Sequence, residues 1–391
     1  MYVDYVMNGQ GYGIVAEQLA GCRFDPGLLR PYLDERGRKC VTVNTGRSRY
    51  NRETQRYEPI YEKALVSDMI ANGIPIPVAN ATSLRKDEWL QLDRVVIKAA
   101  RQRLRAWSDL AAANNFGGFN GMSKMVLEHE TMSDPGEAVV DMDGLTEGRT
   151  DAPKFQLQGL PLPITHSDFH FSSRRLAVSR NTGTPLDTTM AEAAGRRVAE
   201  MIEKTLIGVT TGVTYGTAAD YGLAPTVFGY TNYTNRNTKT DLTTPDATNP
   251  EAVLKDVLEM RDQLYADNFF GPFVLYYSTA YDEFLDNDYF RTGSTAISRT
   301  LRERLEAVDG ITAVRRLDYL TAAAAGKAFS MIMVQMTPDV ASAVNGMDIT
   351  TVQWESVGGM RLNFKVMAIQ VPQIRSDYSG QCGIVHATTA A

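Results

Sequence analysis

The sequence predicts a mixed α+β fold, and three stretches carry the prediction. From Gly159 to Gly208 an alternating, proline-punctuated strand runs through a Ser173-Arg174-Arg175 turn into a long amphipathic helix. From Asn249 to Gln335 a helix with a strong start signal precedes apolar runs of buried-strand type, and such alternation builds a central sheet. From Ile349 to Val371 two strands flank Gly358-Gly359, a dipeptide suited to a tight hairpin turn.

Taken in order, residues 1 to about 82 show no sustained helical period, and Pro75 and Pro77 favour extended backbone. They read either as small β pieces on their own subunit or, the reading preferred, as an arm laid over neighbours. A helix is expected after Ser83, a suitable N-cap, and runs to the breaker cluster Asn114-Asn115-Phe116-Gly117-Gly118. Trp89, Leu92, Val96, Ala99, Leu104 and Trp107 form its buried stripe. Arg94, Lys98, Arg101 and Arg105 form the opposite face. The simplest reading of that face is a solvated surface, with nucleic acid or a neighbour's carboxylates as the alternative.

From Glu128 to Phe171 turn signals dominate, with candidate strands at Glu137–Met142 and Phe155–Leu162. A two-stranded excursion is marginal alone in water, so it needs a surface to lie on. The helix from Thr188 to Ile207 has Thr189 and Glu192 at capping-box spacing, and an inner face of Met190, Ala194, Val198, Met201, Ile202 and Thr205. Asn249-Pro250 starts the next helix, a capping Asn followed by Pro at the first helical position. Phe273–Tyr277 and Met331–Gln335 read as buried strands, with short helices at Tyr281–Asp286 and Leu301–Val308. In the last hairpin Met360, Leu362, Phe364 and Val366 alternate with Arg361, Asn363 and Lys365, so one face is buried.

The 391 residues, 43.2 kDa, suffice for one large core or two modest ones. A hydrophobic share of 43% and a charged share of 22% are ordinary for a globular protein. No apolar run approaches the roughly 20 residues of a membrane helix, and the N-terminus lacks the pattern of a signal peptide. Cys22, Cys40 and Cys382 are few and widely spaced, so they are expected to be reduced thiols. A net charge of −6 argues against a reader that neutralises many phosphates.

Catalytic patterns fail one by one. His166 and His170 have metal-pair spacing only on a helix, and their segment reads as a strand, on which they stand ~13 Å apart. Lys327 sits in a run that lacks the first glycine and the hydroxyl residue of a phosphate-binding loop. No nucleophile elbow or Cys–His pairing is present, and the carboxylates are spread. The expectation is a protein with no enzymatic activity, no cofactor and no metal site.

Four blocks carry a resemblance by their order: Lys86-Asp87-Glu88-Trp89 with Leu92-Asp93, Leu160-Pro161-Leu162-Pro163 with Ser173-Arg174-Arg175, Gly271-Pro272-Phe273-Val274-Leu275, and Gly346-Met347-Asp348-Ile349. Val227-Phe228-Gly229-Tyr230-Thr231-Asn232 adds a fifth short motif. Over about residues 83 to 386 this resembles tailed-phage major capsid proteins and encapsulins, the Hong Kong 97-type fold. The resemblance implies an N-terminal arm (1–82), the first helix of a peripheral or P-domain (83–127) and an extended E-loop (128–172). The P-domain spine helix (173–221), an axial or A-domain (222–346) and a C-terminal P-domain hairpin (347–391) would follow.

The implied function is that of a major capsid protein, forming hexamers and pentamers of an icosahedral shell around double-stranded DNA. Its partners would be further copies of itself, a separate scaffold protein, a portal and a decoration protein, with non-specifically packaged DNA and no membrane. It would be found in the virion and assembled in the host cytoplasm. The alternative is an encapsulin-like nanocompartment around cargo protein. More than 80 residues precede the first helix, which is the phage habit. Inter-subunit contacts are expected from Glu147, Arg149, Lys154 and Phe155 in the E-loop. Lys154 is the only lysine between Lys124 and Lys204 and reads as an ion-pairing surface group, so one band at monomer mass is expected from boiled particles.

Overall fold

A computed structural model describes residues 32–34, 38–51, 56–65, 86–132, 142–143, 152, 155–182, 188–217, 225–246, 250–289, 299–324, 327–355, 360–377 and 379–389. Within the segment expected as an arm, β1 (Tyr32–Leu33), β2 (Lys39–Asn51) and β3 (Arg56–Leu65) make an antiparallel sheet with Cys40 buried. Then come α1 (Lys86–Arg101), α2 (Ala106–Ala113) and a two-residue strand β4 (Asn115–Phe116). The strands β5 (Val126–Met132) and β6 (Phe155–Pro161) form a two-stranded ribbon, and β7 (Thr165–Ser172) follows. The helices α3 (Ser173–Thr182) and α4 (Thr189–Ile207) come next, then β8 (Asn237–Leu242), α5 (Pro250–Ala266), β9 (Phe273–Ser278) and α6 (Asp282–Asp286). After a small pair, β10 (Asp288–Tyr289) and β11 (Arg299–Thr300), the chain forms α7 (Leu301–Glu306), β12 (Ile311–Leu317), α8 (Leu320–Ala323) and β13 (Ser330–Gln335). Two long strands, β14 (Ala341–Glu355) and β15 (Arg361–Ile374), precede β16 (Ile384–Thr389).

Two sheets organise the core. A five-stranded sheet runs in the order β12-β9-β13-β16-β8 and a four-stranded one in the order β4-β14-β15-β7. Every residue of β9 and β13 is buried, as expected of strands covered on both faces. Their side chains alternate strictly: Val274, Tyr276, Ile332 and Val334 join one cluster, and Phe273, Leu275, Tyr277, Met331 and Met333 join the other, with α5. The first cluster continues into the four-stranded sheet, so one core serves both sheets. Its aromatic centre stacks Phe169 on Phe364 at 5.1 Å between ring centroids, with Phe171 edge-on at 5.5 Å. Across the buried face of β15 and β7 lies α4, a 19-residue helix of about 28 Å. Gly195 lets α1 cross it closely: a Cβ there would stand 2.9 Å from the Val96 carbonyl oxygen.

Several expectations need correction. The single helix expected from Ser83 to Asn114 breaks after Arg101 and restarts at Ala106, because Glu203 takes the amide hydrogens that a continuous helix would have used. The Ser173-Arg174-Arg175 turn is the first turn of α3, a helix the sequence reading missed. In α4 the N-cap is Thr188, which makes no side-chain cap bond, so the Thr189–Glu192 box is not formed. Met190 and Met201 point outward and Thr205 is only half-buried, while Ala191, Gly195, Ala199, Leu206 and Ile207 complete the inner face. Met360 is likewise exposed, although Leu362, Phe364 and Val366 are fully buried. The final segment divides: β16 belongs to the five-stranded sheet, paired with β13 and β8. Ser83, Asn249, Gly358 and Gly359 lie outside the described residues.

Candidate functional site

Two regions combine unusual geometry with exposed or strained chemistry. The first is the ribbon. Its register runs from Val126 opposite Pro161 to Met132 opposite Phe155, so the partner of β6 is β5 and not Glu137–Met142, which except for Met142 lies outside the described residues. At the ribbon base Leu127, Leu160 and Leu162 are buried against Val227, Val344, Ile369 and Val371. Gly159 permits this seat, since a Cβ would meet Val126 at 2.8 Å and Pro225 at 3.0 Å. Phe155, at the far end of the described ribbon, is 63% exposed, and Leu157 is also uncovered; at the base Met125 is 68% exposed, beside the exposed Tyr215. The Tyr215 hydroxyl donates to Met125 Sδ at 2.9 Å. Of the four expected E-loop contacts, Phe155 opens β6 and is exposed, whereas Glu147, Arg149 and Lys154 lie outside the described residues.

The second region links α4 to the five-stranded sheet. Glu203 is 2% exposed, and its carboxylate accepts from the backbone N–H of Ala106 at 2.7 Å and of Trp107 at 3.1 Å, capping α2 from a distant helix. Burial pushes its pKa up to about 7, against the pull of these amides and helped by the charge of Asp109. Asp109 accepts from the Tyr276 hydroxyl at 3.1 Å and pairs with Arg315. Its own pKa is raised by burial, with Arg315 opposing. Beside this group opens a cleft of about 660 Å³ lined by Arg105, Arg302, Arg315, Arg316, Asp109, Asp282 and Asp286 among others. Arg302 meets Asp286 at 2.9 Å and Arg316 meets Asp282 at 2.9 Å, so ion pairs tie the cleft walls together.

The Val227–Asn232 motif has a physical role that its sequence alone did not reveal. Helix α4 ends at Gly208 in the left-handed region (φ 98°). The amides of Tyr230 and Thr231 then donate to the Leu206 and Ile207 carbonyls at 2.8 and 2.9 Å, and the Thr231 hydroxyl adds a bond of 2.8 Å to Ile207. The motif is the C-terminal cap of the long helix. Glu203 and the β5 strand were the other features missed. A lone acid between Ile202 and Leu206 on an apolar face was the available signal for the first.

His166 and His170 both lie on β7, and among the described residues no group of three or more His, Cys, Asp or Glu side chains gathers as a metal site. No helix among the described residues is long and apolar enough to cross a membrane.

A long helix laid across a β-sheet, a second sheet behind it and a projecting two-stranded ribbon define a protein of the Hong Kong 97-type fold. The capsid of Myoviridae phage XM1 matches it with a TM-score of 0.51 at 11% identity, over 72% of this chain and 92% of that one. The chain belongs to the family of unknown function (DUF6260), whose sequence profile matches residues 79–387. It is also 26% identical over 237 residues to the type 1 encapsulin shell protein EncA of Myxococcus xanthus (strain DK1622), covering 60% of this chain and 74% of that protein. A virus-like particle from Pyrococcus furiosus matches at a TM-score of 0.49 and 16% identity, over 76% of this chain and 97% of that one.

Proposed function

We propose that this protein is the major capsid protein of a tailed bacteriophage, assembling as hexamers and pentamers into an icosahedral shell around double-stranded DNA. The observation that carries the proposal is the ribbon, which holds Phe155 and Leu157 outward on a ladder buried only at its base. A two-stranded ribbon is marginal alone, and covering an apolar side chain fully stabilises by about 1.5–3 kcal/mol. A neighbouring subunit is the natural cover, and head-to-tail contacts of this kind close into rings. On this proposal 1–82 is the arm, and within the 128–172 segment expected as the E-loop the ribbon projects while β7 returns to the subunit's own four-stranded sheet. Glu147, Arg149, Lys154 and Phe155 lie on the neighbour. The protein acts by geometry and not by catalysis, in the virion after assembly in the host cytoplasm, with a scaffold protein, a portal and a decoration protein as partners. The likeness to EncA favours a second reading, a nanocompartment shell around cargo protein.

Purified protein is expected to elute as rings or shells and to show closed particles in micrographs; a clean 43.2 kDa monomer at high concentration, with or without scaffold, would sink both readings. Particles isolated from the native source separate the two, holding double-stranded DNA in the first case and protein cargo in the second. Deleting residues between Asp134 and Lys154 should leave the subunit folded, because both cores lie elsewhere, yet abolish or weaken particles. Unfolding of the deletion variant would place the segment in the core instead.

A further inference from the structure

The outer face of α1 carries a row of cations that no carboxylate among the described residues answers. Arg94, Lys98 and Arg101 are exposed, and their spacing of four and three residues sets them within about 60° of one another around the helix. With Ile97 and Gln102 they line a shallow groove of about 400 Å³. Among the described residues none of the three has an ion-pair partner, whereas nearby Arg103 and Arg196 each reach Glu200, at 3.7 and 3.8 Å. The opposite side of the helix is locked onto α4 through Trp89, Leu92 and Val96, so the row is rigidly presented. Like charges at these spacings repel one another along a helix. In a chain with 46 acidic and 40 basic side chains, three such cations without a carboxylate among the described residues point to an anion from outside the subunit.

We propose that this row is a phosphate-contacting surface for double-stranded nucleic acid, to which each subunit contributes about three contacts. The row is about 10 Å long, and a duplex presents one charge per ~1.7 Å of its axis, so several phosphates face it at once. Two of the three cations are arginines, whose planar fork matches phosphate oxygens. Three contacts are too few to grip a duplex from one subunit, which fits the acidic chain as a whole, but repeated over an assembly they hold a polymer. The proposal rests on the shell reading only for where the duplex comes from.

The test uses the full chain and a fluorescent DNA duplex of about 20 base pairs, followed by anisotropy as salt rises from about 20 to 100 mM. Each subunit engaged on the duplex adds about −2.7 to the log–log slope, so affinity falls by at least roughly eighty-fold over that range. The variant Arg94→Gln/Lys98→Gln/Arg101→Gln should melt as the parent does, glutamine being a good helix former. It should still form particles, and should lose both duplex binding and the salt slope. Equal binding by the variant, or no binding by the parent at the lowest salt, overturns the proposal. So does a folded variant that no longer assembles, because the row would then be a contact between copies. If neither protein assembles while duplex binding behaves as described, the phosphate surface stands and the shell reading falls.

Discussion

Replacing Gly229 with alanine is expected to lower stability by about 3 kcal/mol or more, beyond the common range for a core substitution. The added Cβ would stand 2.4 Å from the Thr205 carbonyl oxygen, 2.5 Å from the Gly208 nitrogen and 2.6 Å from the Leu206 carbonyl oxygen. All three are backbone atoms of the last turn of α4 and its cap, so none can swing aside. The segment must withdraw, stretching the bonds from Tyr230 and Thr231 that satisfy the helix C-terminus. Each buried carbonyl left without its donor costs about 1–3 kcal/mol. The Gly229 amide bond to Asn232 Oδ1, 2.6 Å, would be disturbed as well. Urea denaturation measures the effect as a fall in midpoint at unchanged slope. Gly117→Ala is the control, since its Cβ would meet only ordinary contacts at 3.6 and 3.7 Å. A Gly229→Ala variant within about 0.5 kcal/mol of the parent would show that the turn is not held against the helix.

The second large effect concerns Glu203 and has a definite sign with pH. Its carboxyl has a folded pKa of about 7 against an ordinary value of 4.5. The folded state therefore binds the proton more tightly than the unfolded one. The associated stability is fully present below about pH 4.5 and is lost as pH rises to about 7, a change of roughly 3 kcal/mol. His386 runs the other way: burial lowers its pKa from 6.5 to about 4, so its contribution is present above 6.5 and lost as pH falls. Raw pH curves mix the two, and a difference curve separates them. Glu203→Gln mimics the protonated acid, so its stability relative to the parent should rise by about 3 kcal/mol between pH 4.5 and 8. A difference that does not vary with pH would mean that the carboxylate titrates as an exposed one does. Glu203→Ala removes the acceptor from two buried amides and should cost about 2–4 kcal/mol at about pH 4.5, with α2 fraying first. Having no carboxyl to titrate, the variant should lose most of that deficit relative to the parent by about pH 8.

How these two sites escaped the sequence reading is instructive. The alternation of Leu362, Phe364 and Val366 revealed the buried face of β15, and the apolar runs at Phe273 and Met331 revealed strands covered on both sides. Pro250 marked the start of α5. Each of these signals is local, arising from the period of two or 3.6 or from a fixed φ, and can be read without knowing what lies opposite. The break in the first helix could not be seen this way. Nothing in Gln102–Arg105 forbids a helix; the amides of Ala106 and Trp107 are diverted by a carboxylate almost a hundred residues away in sequence. The strand Val126–Met132 shows no clear alternation and was missed, because its pairing to β6 depends on a base seated against Val227 and Val371.

The sequence by itself determined the α+β class, the long helix that ends at Gly208, the buried strands of the central sheet and the absence of recognisable catalytic motifs, since each follows from hydrophobic periodicity and backbone stereochemistry within a few residues. Only the tertiary structure decided that Val227–Asn232 closes the helix, that Glu203 is a buried cap, that β16 returns to the five-stranded sheet, and that Phe155 and Leu157 are left uncovered on the ribbon. Those outcomes depend on which distant backbone groups and apolar faces meet, and orphan amides, carbonyls and side chains take partners by proximity in space, for which a linear pattern holds no record.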